Sequence, residues 1–115
     1  MCGAAMIDMD RLKELEEDFG AEDMADLIES FIEETQIALD QISGMISDVP
    51  DPTRRDQFHL LKGCALSIGA STFAKTCERF EHADGPFSQS EYDALCAEFR
   101  DVRTWFENDG LKKIA

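Results

Sequence analysis

The chain has 115 residues, enough for one domain, and 43% of them are hydrophobic, enough for one core. It carries 25 acidic residues against 11 basic ones, a formal net charge of −14. That excess excludes generic binding to nucleic acid or to an anionic membrane, because phosphate repels it. The charge is uneven: residues 1–52 are net −13, residues 53–80 net +3 and residues 81–115 net −4. A locally basic segment therefore sits inside an acidic protein.

The pattern along the chain is helical, with few β-branched residues and no sustained period-2 alternation. A short first helix is expected over 8–18, capped by Asp8 or Asp10, with Met9, Leu12, Leu15 and Phe19 on its apolar side and Gly20 ending it. A long second helix is expected over 22–48. Its apolar stripe is Met24, Leu27, Ile28, Phe31, Thr35, Ala38, Leu39, Ile42 and Met45, and Pro50 and Pro52 follow as breakers. The third helix is expected over 53–69, capped by Asp51 or Thr53 and ended by Gly69. The fourth spans 71–83 with Ser71 as its cap and Phe73, Cys77 and Phe80 as its stripe. The fifth spans 89–108, opened by a Ser88–Glu91 capping box and striped by Tyr92, Leu95, Phe99, Val102 and Phe106. The expected fold is all-α: an antiparallel up-down four-helix bundle with a short extra N-terminal helix, one domain over 1–115 with frayed ends at 1–7 and 111–115.

The first ten residues hold neither a basic nor an apolar signal region, and no apolar run reaches the roughly 18 residues of a membrane span. The expected location is cytoplasmic, with no membrane partner. The cysteines, Cys2, Cys64, Cys77 and Cys96, have the spacing of neither a CxxC pair nor a zinc module, so reduced thiols and no metal site are expected. The last three fall on apolar stripes and read as small core residues.

Any chemistry is expected in the basic segment. On a wheel of about 100° per residue, Phe58, Leu61, Ala65 and Ile68 face the core, flanked by Leu60 and Cys64. The opposite arc holds His59, Lys62, Gly63, Leu66, Ser67 and Ala70, with Arg55 one turn before the histidine. Lys62 places an ammonium within reach of an anion on the imidazole. Gly63 costs a helix about 1 kcal/mol relative to alanine, which clearance for an approaching backbone would explain. Leu66 and Ala70 add an exposed apolar strip for docking.

Glu81 completes the set. It lies about as far after the expected Gly69–Ala70 turn as His59 lies before it, so the two stand at equal height on neighbouring helices. A carboxylate there accepts a hydrogen bond from Nδ1–H, fixes the tautomer and leaves Nε2 as the nucleophile.

The run His59-Leu60-Leu61-Lys62-Gly63-Cys64, then Gly69-Ala70, Cys77 and Phe80-Glu81, resembles the histidine-containing phosphotransfer (HPt) domain family. The resemblance implies a histidine phosphotransfer protein of a two-component phosphorelay, carrying a phosphoryl group on His59 between receiver aspartates. It implies that Lys62 helps neutralise the phosphate, that Gly63 admits the partner and that Glu81 hydrogen-bonds the histidine. The implied partners are a response-regulator receiver domain and a hybrid sensor histidine kinase. No cofactor is implied on this chain, Mg²⁺ belonging to the receiver, and no catalytic activity of its own. Three positions depart from the family pattern. Cys64 stands where serine is common, Phe58 where a smaller residue is frequent, and Phe80 where leucine is usual.

Two other readings compete. One is a non-phosphorylated acidic helical module that docks a signalling partner. The other is a thiol or metal enzyme, against which the wheel counts by pointing Cys64 away from His59.

Overall fold

The structure, a computed structural model, describes residues 7–83 and 85–110. Among them are four helices, α1 (Met9–Ser43), α2 (Pro52–Ser67), α3 (Ser71–His82) and α4 (Gln89–Trp105), and a π-helical turn over Phe106–Gly110. The fold class is all-helical, as the periodicity predicts.

Local chemistry sets most boundaries. Asp8 caps α1 by accepting from Arg11 N–H at 3.2 Å. Asp51 caps α2 by accepting from Thr53 N–H at 2.9 Å, with Pro52 in the first turn, where its missing N–H costs nothing. Ser88 and Glu91 form the expected reciprocal box at the start of α4. The cap of α3 is a correction: Ala70 stands at that position with no side-chain bond, and Ser71 is already helical.

The expected helices over 8–18 and from 22 form one span interrupted at Gly20, whose φ of 81° and ψ of 163° leave the helical region. Phe19, expected to be buried, is 51% exposed, because the buried stripe of Leu12 and Leu15 ends a turn before the break. Leu27, at the margin of its stripe, is also exposed. α1 ends at Ser43 rather than 48. Beyond Gly44 the backbone leaves the helix to pair with another loop: Ser47 and Phe87 exchange two antiparallel bonds, 3.1 and 2.7 Å.

That bridge joins the α1–α2 and α3–α4 loops at one end of the molecule. Arg54 reinforces it from α2, donating to Met45 O at 3.0 Å and Gly85 O at 2.8 Å, with its guanidinium over the Phe87 ring. At the other end the α2–α3 turn meets the N-terminal segment. Asp8 N–H donates to Gly69 O at 2.7 Å, and Arg11 Nε donates to Ser67 O at 3.1 Å. Gly69 has φ 83°, and a Cβ there would sit 3.0 Å from Asp8 O, so this corner requires glycine on two counts. Ile7, inside the segment expected to fray, is buried in the core; residues 1–6 and 111–115 lie outside the described residues.

The core joins all four helices, and α2 and α3 pack together most extensively. Two of the family departures answer each other: the Phe58 and Phe80 rings lie 5.3 Å apart, and both pack on Phe87. Phe58 is fully buried, as the wheel expects. Cys77 is fully buried, and burial pushes its thiol up to about 12. Cys64 and Cys96 are only partly buried, packed against the core rather than within it.

Candidate functional site

The site stands on the α2–α3 hairpin. α2 turns its core face inward through Phe58, Leu61 and Ala65, which leaves the next position, His59, outside. The His59 side chain is 69% exposed. α3 buries Phe73, Ala74, Cys77 and Phe80, and the residue after that stripe, Glu81, lies at its edge with an 11% exposed side chain. The hairpin brings the two to one height: His59 Nδ1 and Glu81 Oε2 are 2.7 Å apart.

Lys62, one turn beyond the histidine, ends on the same carboxylate. Its Nζ is 2.8 Å from Glu81 Oε1, and its side chain is 20% exposed. Oε2 of Glu81 is thus hydrogen-bonded to the ring, while Oε1 meets Lys62 as an ion pair. The Lys62 hydrogen bond holds the Glu81 carboxyl below the usual carboxylate range; partial burial opposes this and the His59 bond adds to it. The same bond to Glu81 raises Lys62 above its ordinary value, against the effect of burial, with Glu78 adding a further attraction. A carboxylate only accepts, so Nδ1 is the donor, and in a neutral ring so bonded the lone pair lies on Nε2.

Gly63 faces open space, with nothing within 4 Å of a Cβ built there. Arg55, Leu66 and Ser67 are exposed on the surface around the histidine. Ala70 is not. It is 0% exposed, a correction to the expected docking strip. The wheel assumed that the helix continues to 70, but α2 ends at Ser67. Gly69 then reverses the chain, and Ala70 N–H returns to Ala65 O, which tucks the methyl into the core.

The basic segment is also thinner than its sequence charge suggests. Arg54 is 5% exposed and bonded to two carbonyls, and Lys62 is bound to Glu81. The pairing of Lys62 with Glu81 escaped the sequence reading, which directed both at the histidine separately. So did an apolar groove of about 350 Å³ between α1 and α2, lined by Ile37, Ala38, Gln57, Leu60, Leu61 and Cys64. Ile37 and Leu60 are each more than half exposed there. The signal was Leu60 itself, next to His59 and off the core arc.

Among the described residues, no group of three or more His, Cys, Asp or Glu side chains could hold a metal ion, and no helix is long and apolar enough to cross a membrane.

The α2–α3 hairpin thus presents one exposed imidazole, backed by a carboxylate and beside an open glycine. The sequence model of the Hpt domain matches residues 26–105, and the chain belongs to that family. Hpt domains are phosphocarrier modules of two-component signalling that interact with the receiver domains of response regulators. No curated protein and no solved structure matched the chain.

Proposed function

We propose that this protein carries a phosphoryl group on Nε2 of His59, receiving it from one receiver aspartate and passing it to another. The observation that carries the reading is the 2.7 Å contact between His59 Nδ1 and Glu81 on a ring that is otherwise open. In the transfer, the P–O bond of the aspartyl phosphate breaks as the P–N bond forms at Nε2. Nδ1 keeps its proton, and the ring charge that develops lies against Glu81. Phosphoryl transfer rests on positioning and charge neutralisation, and the receiver supplies Mg²⁺ and most of that. The receiver docks over Gly63, where no side chain stands in its way, with Arg55, Leu66 and Ser67 around the ring.

The test is labelling from a phosphorylated receiver. Wild-type protein should take up acid-labile, base-stable label, and His59→Gln should take none. Equal labelling of that variant overturns the assignment of His59. A receiver that binds both proteins equally and labels neither would favour the non-phosphorylated docking module.

A further inference from the structure

His59 and Glu81 meet across the seam between α2 and α3, about ten residues and about 15 Å from the Gly69 turn. A turn fixes helix separation poorly at that distance. A splay of about 2° there moves the two side chains apart by about half an ångström. A 2.7 Å contact therefore needs a constraint at its own height. The residues just before the two partners supply it. Phe58 on α2 and Phe80 on α3 face the core and lie ring to ring at 5.3 Å, with their planes 34° apart. One seam is thus spanned twice at one height, by the aromatic pair on its buried side and by the imidazole and carboxylate on its outer side.

We infer that Phe58 and Phe80 are positioning residues: their ring pair is the spacer that sets the gap between α2 and α3 beside His59, and with it the Nδ1–Glu81 contact. Its effect on transfer rests on the phosphotransfer reading; its effect on the imidazole does not. The side chains at a helix–helix contact set the distance between the axes, over a range of about 8–10 Å. Packed rings do not compress, so the pair stops α2 and α3 from closing further.

Phe87, from the loop before α4, holds the pair in place. It stands edge-on to both rings, 5.5 Å from Phe58 and 5.2 Å from Phe80, and blocks either from sliding out. Phe87 is itself held by its backbone bridge to Ser47 and by the Arg54 guanidinium over its ring. The Arg79 guanidinium lies over the Phe80 ring at 5.0 Å. Phe58 is fully buried and Phe80 nearly so, and neither offers a docking surface. Their influence on transfer runs through the site residues that follow them in the chain.

The test compares three variants. Phe58→Leu and Phe80→Leu each shorten the spacer and stay apolar. Phe73→Leu is the control: Phe73 shares α3 with Phe80 and is fully buried, but it stands near the Gly69 turn and packs on Phe99 of α4. NMR of the His59 ring in the unphosphorylated protein, at one alkaline pH, reads the contact directly. Wild type should show the Nδ1–H tautomer with a slowly exchanging Nδ1 proton. Each spacer variant should exchange that proton at least about tenfold faster, and Phe73→Leu should match wild type. In transfer from a phosphorylated receiver, the spacer variants should be about tenfold slower at saturating receiver, with half-saturation unchanged. A misplacement of about 1 Å costs about a hundredfold, and about half that shift is expected. The double variant should be no slower than the slower single one, because one shortened side chain already breaks the pair. Phe80→Leu, at the edge of the core, carries the test where Phe58→Leu does not fold. Three results overturn the proposal: a wild-type proton signal in Phe80→Leu, an equal loss of that signal in Phe73→Leu, or a shift in half-saturation in place of the maximal rate. The NMR measurement needs no receiver, so it decides the spacer even where wild-type protein takes no label, an outcome that overturns the phosphotransfer reading instead.

Discussion

At the scale of single residues, Glu81 links the site to the stability of the fold. Its carboxyl is held below the ordinary range, first by Lys62 and then by His59, against burial. A group with a depressed folded-state pKa contributes stability above its unfolded value, here about 4.5, and that contribution is lost as pH falls through the folded value. Glu81→Gln should therefore unfold with a shallower dependence on pH below about 4.5 than wild type, measured by denaturant titration at several pH values. The same slope in both proteins would show that the pair contributes nothing to folding. Much at this scale was legible in the sequence. The contact of His59 with Glu81 follows from equal distances to one turn, which is geometry that counting residues can reach. The grip of Lys62 on Glu81 was not legible, because a flexible four-carbon stem can point to either of two anions and spacing alone does not choose.

At the scale of helices and turns, two glycines on the same hairpin should respond in opposite ways. Gly69 holds a left-handed φ and lies against Asp8 O. Gly69→Ala should lower the unfolding free energy by about 1–2 kcal/mol from the backbone penalty alone, with a further loss as Asp8 is pushed aside. Gly63 has neither constraint. Gly63→Ala should raise stability by up to about 1 kcal/mol, and Gly63→Leu should keep the helix yet slow transfer from a receiver; wild-type transfer by the leucine variant would refute the clearance argument. Helix starts that carry a side-chain cap were legible because caps are local, as Asp8, Asp51 and Ser88 with Glu91 show, whereas α3, which has no such cap, misled the reading at Ser71. Helix ends were less so. The stop at Ser43 depends on Phe87, far along the chain, and the burial of Ala70 depends on a turn that invalidates the wheel used to place it.

At the scale of the whole molecule, both ends of the hairpin are fastened to the rest of the bundle, by Arg54 and the Ser47–Phe87 bridge at one end and by Asp8 and Arg11 at the other. Arg54→Met keeps most of the buried volume but strands two carbonyls, and should cost about 2–3 kcal/mol in chemical denaturation. The sequence counts Arg54 toward a basic surface; its burial was illegible because a charged residue on an apolar face looks like an error of phase until both loops that it joins are placed. The −14 charge is therefore less a backdrop to a broad basic face than to a narrow one, with Arg55 as an exposed member. The wall that Glu81 builds behind Nδ1 also dictates traffic. Under the proposed transfer only one ring nitrogen is reachable, so a donor and an acceptor could not occupy His59 together, and each would leave before the next arrives. Steady-state transfer between two receivers should follow ping-pong kinetics, giving parallel lines when both concentrations are varied; intersecting lines would mean that the two receivers meet on the carrier.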